Sequence, residues 1–149
     1  MPAADGVTIA LGSWRELGPA ATELRFAVFV VEQKVPPEME LDEHDPVSLH
    51  ALARDEAGAV IGTGRLLPDG HIGRIAVAAG ARGRGVGDAL MRALLHAAQA
   101  RELPEVVLSA QTHATRFYER LGFVAEGDAY DDCGIPHVTM RMALPAREG

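Results

Sequence analysis

The stretch that most constrains this chain is Arg82-Gly83-Arg84-Gly85-Val86-Gly87, set between the apolar run 72–79 and the segment 88–101. Upstream, Ile72, Ile75 and Val77 read as a buried strand; downstream, Leu90, Met91, Leu94, Leu95 and Ala98 recur at helical spacing. The glycines therefore fall at a strand-to-helix turn. Without Cβ atoms they let a ligand approach the backbone, and the first turn of a helix offers unpaired N–H groups and a positive dipole end. Arg82 and Arg84 add full charges, so the pattern predicts a phosphate or pyrophosphate site. It is not a dinucleotide fingerprint, whose third glycine would fall on Asp88, nor a Walker loop, which needs a Lys-Ser/Thr pair. Read blandly, the same stretch is a glycine-rich connector with two solvated arginines.

At 149 residues the chain is long enough for one core and short for two, so a single domain over 1–149 is expected. The segment Met1-Pro2-Ala3-Ala4-Asp5 has neither a basic region nor an apolar run, and the longest greasy stretch, 26–31, is too short to span a bilayer. A soluble cytoplasmic protein with no membrane partner is expected. The lone Cys133 has no disulfide or CxxC partner, which fits a reducing compartment. A formal charge of −7 argues against nucleic acid and favours cationic partners.

In chain order, Val7, Ile9 and Leu11 alternate as a first strand. Pro19 then opens a helix, with Glu23 near its positive end. The run 26–31 continues that helix, although its β-branched and aromatic residues also suit a strand. On a regular helix Arg25, Phe29 and Glu32 share one face, so a charged pair would flank an aromatic ring. Residues 48–54 and 60–67 read as a hairpin, and 72–78 as the next strand of a meander. A helix from Asp88 ends at Pro104; 106–108 is a short buried strand; 112–121 is a helix closed by Gly122. Residues 123–125 and 136–144 supply the last strands, with Tyr130 and Cys133 in their connection.

Between these elements, residues 38–45 concentrate five carboxylates and His44. A calcium loop would need a mid-loop glycine, and a glutamate where Ala53 stands, so no metal is expected. A solvated acidic loop, or one that draws an ammonium substrate toward a cleft, remains. Asp88 is expected to point outward as a helix-start acid. His96 and His113 read as surface residues, and His50, His71 and His137 as strand histidines.

Arg82-x-x-Gly85-x-Gly87, after an Ile-Ala-Val strand and before an Ala/Leu helix, resembles the acyl-CoA pyrophosphate loop of the GNAT superfamily of N-acetyltransferases. The block from Gln111 through Tyr118 to Gly122-Phe123 is similar to that superfamily's later helix and strand start. Residues 24–33, then Val35-Pro36, Glu40, Asp42 and Asp45, resemble its ElaA-like branch, as does Gly134-Ile135-Pro136-His137-x-x-Met140. The resemblance implies an α/β (α+β) fold of order β-α-β-β-β-α-β-α-β-β. Its sheet is central, mixed and mostly antiparallel, of about seven strands, with helices on both faces. It implies acetyl-CoA as co-substrate, held by Ile75, Ala76 and Val77, by the run Arg82, Gly83, Arg84, Gly85, Val86, Gly87 and Asp88, and by Gln111 and Tyr118. Tyr118 would face the departing sulfur.

The amine step is less legible. A lysine-like amine with pKa near 10.4 is only about 0.04% neutral at pH 7, so a base or a water relay is needed. Glu32 is the expected base, with Asp42, Asp45 and His137 as rivals. Arg25, Phe29, Glu32, Asp42 and His137 are expected on the acceptor side, which would take a small-molecule or peptide amine. A monomer or a homodimer both fit. The alternative is a non-catalytic acyl-CoA-binding or regulatory module, which would not require a phenol beside the sulfur.

Overall fold

The computed structural model describes residues 6–40 and 42–145; Met1–Asp5, Leu41 and 146–149 lie outside the described residues. The elements run β1 (Thr8–Gly12), α1 (Trp14–Arg25), a π-helical segment (Phe26–Glu32), a short α2 (Pro37–Glu40), β2 (Leu49–Arg54), β3 (Val60–Leu66) and β4 (His71–Val77). Then come α3 (Val86–Ala100), β5 (Glu105–Gln111), α4 (Thr115–Leu121), β6 (Val124–Asp132) and β7 (Ile135–Ala143). The seven strands form one sheet in the order β1-β2-β3-β4-β5-β7-β6, antiparallel throughout except at β4–β5.

α1 starts at Trp14, five residues before the expected start at Pro19. Ser13 caps it, accepting from Glu16 N, while the Glu16 carboxylate accepts from Ser13 N, a reciprocal capping box that leaves Pro19 inside the helix. The run after Arg25 is helical as expected, but it winds wider: Gln33 N donates to Val28 O, five residues back. The extra residue per turn breaks the assumed shared face, so Arg25 turns into the core while Glu32 reaches the opposite rim.

Helices cover both faces of the sheet. On one, Val86, Leu90 and Leu94 of α3 pack on β3, where Gly62 and Gly64 make room. A Cβ on Gly62 would lie 2.8 Å from Leu90 Cδ1. On the other, Leu24 and Val28 pack on Ala76, and Trp14 meets His50 at 4.9 Å between ring centroids. β4 carries a bulge: Thr63 pairs with Ala76 but Arg65 pairs with Gly73, so Arg74 and Ile75 together oppose Gly64. Arg74 sits at φ +53°, and a Cβ on Gly64 would come within 2.4 Å of Ile75 Cδ1, so the glycine opposite the bulge gives Ile75 its room.

β5 runs well beyond the three residues expected, and β6 extends from the expected 123–125 to Val124–Asp132, which brings Tyr130 into a strand. Every β6 position is exposed, so it carries no alternating burial pattern to read. Gly122 closes α4 at φ +111°, as its position predicts.

Candidate active site

β4 and β5 pair only at His71–Val107 and Ile72–Leu108, then part. The V between them opens a cleft of about 790 Å³, floored by residues 72–77 of β4 and walled by Ser109, Gln111, Phe117 and Tyr118. Past Ile72, β4 has no ladder partner on the β5 side, so backbone groups there face the cleft. Gly87, at the start of α3, lines the same space. The first helical bond runs from Ala89 N to Gly85 O at 3.0 Å, which leaves the N–H groups of Val86, Gly87 and Asp88 without helical acceptors. Gly83 and Gly85 hold φ of +79° and +78°, a region that disfavours other residues.

A smaller chamber of about 220 Å³ continues the cleft, sharing Phe29, Gln33, Arg74, Gln111, Asp132 and His137 with it. The hairpin joining β6 to β7 forms its outer wall. Splayed parallel strands, free backbone in the V and a glycine-led helix N-terminus at one end form a continuous channel for a long ligand with an anionic end.

The family described as "Acetyltransferase (GNAT) domain" matches residues 17–144. The chain belongs to the GNAT acetyltransferase family. This GNAT domain is 40% identical over 121 residues to the uncharacterized N-acetyltransferase YjcF of Bacillus subtilis, covering 78% of this chain and 86% of that one. It is 34% identical over 132 residues to protein ElaA of Escherichia coli, covering 81% and 84%. Among solved structures, an acyl-CoA N-acyltransferase from Pseudomonas aeruginosa superposes with a TM-score of 0.83 at 37% identity, over 92% of this chain and 99% of that one. The crystal structure of Escherichia coli ElaA superposes with a TM-score of 0.82 at 30% identity, over 91% and 99%.

Within the GNAT cleft the structure gathers Phe29, Glu32, Ile75, Ala76, Val77, Arg82, Gly87, Gln111, Tyr118 and His137. Tyr118 packs edge-on against Phe117 and Phe123, and burial pushes its phenol up to about 12. Gln111 donates to Gln33 Oε1 at 2.9 Å and accepts from His113, so its amide is already engaged. Glu32 holds Arg82 through both oxygens, at 2.5 and 2.7 Å, with both side chains about two-fifths exposed. That bond holds the Glu32 carboxyl below the usual carboxylate range.

Other expected site residues stand elsewhere. Val86 is buried on the inner face of α3, and Asp88 pairs with Arg92 at 2.8 Å along the helix surface. Gly83, Arg84 and Gly85 shape the turn without lining the cleft. Arg25 is 1% exposed and its partners are Glu40 and Asp45, so the expected pairing with Glu32 does not form. Asp42 accepts from Arg65 at 2.6 and 2.8 Å and from Arg74 at 3.2 Å.

The acidic loop is therefore not a solvated one. Glu40, Asp42 and Asp45 turn inward as counterions to Arg25, Arg65 and Arg74, a network of three carboxylates and three guanidiniums beside the smaller chamber, which Glu40 and Arg74 line. Burial by itself raises the Asp42 and Asp45 carboxyls, but the arginine bonds outweigh it and both shift down. Among the described residues no group of three or more His, Cys, Asp or Glu is arranged to hold a metal. Arg65 and Arg74 escaped the sequence reading; their signal was a pair of arginines inside otherwise apolar strands, where a charge demands a buried partner.

Proposed function

We propose that this chain transfers an acetyl group from acetyl-CoA to a primary amine in a direct ternary complex. The observation that carries the reading is the parting of β4 from β5 just before the glycine-led start of α3. Pantetheine would lie in the V against the β4 backbone, the pyrophosphate at the N–H groups of Val86, Gly87 and Asp88, and the thioester beside Tyr118. A free β4 N–H would stabilise the tetrahedral oxyanion. The acceptor would enter the chamber under the β6–β7 hairpin. Release of free CoA thiol from acetyl-CoA with a panel of primary amines tests this, and thiol release with none of them would favour the non-catalytic alternative. Longer acyl-CoA thioesters in the same assay test the preference for acetyl.

The loop supplies a sharper expectation. A Cβ on Gly87 would meet Phe117 Cζ at 3.5 Å, an ordinary contact, so Gly87→Ala spares the fold and obstructs only the ligand's approach. Gly85 adopts φ +78°, which costs an L-residue about 1–2 kcal/mol. Calorimetric titration with CoA and thermal melts are therefore expected to separate the two: Gly87→Ala loses affinity at unchanged Tm, while Gly85→Ala loses both. Unchanged affinity in Gly87→Ala removes the pyrophosphate assignment.

Glu32 fits a different role from the one first expected of it. A carboxylate clamped by Arg82 is a weak proton acceptor, and its hold on Arg82 sets that guanidinium at the cleft mouth. Glu32→Gln is expected to change CoA affinity through Arg82 and to leave the pH dependence of turnover in place. Loss of the acid limb of the pH profile in that variant would restore Glu32 as the base.

A further inference from the structure

We propose that Nε2 of His137 is the atom that takes the proton from the acceptor ammonium, an inference that rests on the acetyl-transfer reading above. His137 lies on β7 at the open end of the V, paired across to Gln111 on β5 and to Tyr130 on β6, and it lines both the cleft and the acceptor chamber. Its Nδ1 lies 2.7 Å from the carbonyl of Ile135. A carbonyl accepts only, so Nδ1 carries the hydrogen and donates it. In the neutral ring the lone pair is then on Nε2. Tyr130 stacks on the imidazole at 6.2 Å and 25°, which fixes the ring plane, and its own hydroxyl is bonded to Ser109.

The other candidate acceptors are ion-paired or lie out on the exposed hairpin. Among the described residues lining the two cavities, the carboxylates are Glu32, Glu40 and Asp132. Glu32 holds Arg82 and Glu40 holds Arg25, while Asp132 lies exposed on the hairpin. Asp42 and Asp45, the rivals read from the sequence, are committed to Arg25, Arg65 and Arg74. The charged and titratable groups that line the smaller chamber with His137 are Arg74 on β4, Glu40 on α2, and Asp132 and Cys133 on the hairpin, and Tyr130 stacks on His137 from β6. Arg74 itself donates to Asp42 and to the Glu40 carbonyl.

In the step, the ammonium gives one proton to Nε2 and the freed nitrogen lone pair forms the C–N bond. The C–S pair leaves on sulfur, the second ammonium proton neutralises the thiolate, and the imidazolium returns its proton to solvent.

The test compares His137→Gln with the parent on acetyl-CoA and two acceptors, benzylamine and O-benzylhydroxylamine. The first is an ammonium near neutral pH, and the second is already neutral and needs no base before attack. Turnover with benzylamine is expected to fall about 100-fold and with O-benzylhydroxylamine less than about fivefold, at unchanged CoA affinity. Equal losses on both acceptors overturn the proposal and leave His137 a packing role. Histidine side-chain nitrogen NMR supplies a readout that needs no acceptor: the signals lost in His137→Gln must belong to a protonated Nδ1 and a bare Nε2. The opposite tautomer overturns the proposal whichever amine is used. A parent protein with the expected tautomer but no turnover on any amine counts against acetyl transfer itself.

Discussion

Arg25→Ala is expected to lower the free energy of unfolding by about 3–5 kcal/mol, the cost of removing one partner from a buried ion network. Arg25 is 1% exposed; it donates to Glu40 Oε1 at 2.5 Å and to Asp45 Oδ1 at 2.8 Å, and it lies over the Trp14 ring at 5.6 Å. Its loss would leave two carboxylates under α1 with Arg65 as the remaining close cation for Asp45. Urea unfolding reads the change, and a loss under about 1 kcal/mol would mean that water enters and solvates the site. The same network makes the fold acid-sensitive. The Asp42 and Asp45 carboxyls are depressed in the folded chain, so their stabilisation is complete above the unfolded aspartate value near 3.9 and is lost as pH falls below it. His50 adds an earlier loss. Burial lowers its pKa, so the fold holds it neutral and begins to lose stability as pH falls through about 6.5. Asp45→Asn should flatten the lower part of this profile and deepen the His50 part, because the Asp45 charge is one of the groups that hold the His50 value up.

Tyr118→Phe is expected to reduce kcat about 100-fold, the low end of what a positioned acid contributes, without changing CoA affinity. With the phenol pushed up to about 12 by burial, outright proton donation to a thiolate whose conjugate acid titrates near 8.5 is uphill by about 5 kcal/mol. A hydrogen bond that strengthens as charge builds on sulfur is the contribution that the environment permits. Because the phenol stays protonated across the neutral range, the loss should be the same at about pH 6 and about pH 9. Single-turnover rates beside a CoA titration decide the matter. A wild-type chemical step in the variant sinks the catalytic role, and a loss that shrinks as pH rises would mean that the phenol ionises despite its burial.

The sequence by itself determined the parts whose physics is local. Glycines at 83 and 85 mark a backbone that must take positive φ, and Leu90 and Leu94 at helical spacing follow directly, so the phosphate loop and α3 were legible without any tertiary information. Gly122 announced the end of α4 for the same reason. The capping box at Ser13 and Glu16 was an equally local signal of the true start, and Pro19, whose preference for a first turn is real, sits inside the helix instead. Only the tertiary structure could decide the rest. β6 is exposed at every position, so nothing in its sequence alternates, and pairing with β7 alone makes it a strand. The π-helical winding of Phe26–Glu32 turned Arg25 inward and Glu32 outward, which a regular helical wheel cannot anticipate. The bulge at Arg74 lies opposite Gly64, ten residues earlier on another strand, whose missing side chain leaves room for Ile75. The acidic loop looked solvated because its counterions, Arg65 and Arg74, come from strands that meet it only once the chain has folded. Charges separated along the sequence carry no sign of their pairing, and it is this pairing that decided which carboxylates remain free to work in the cleft.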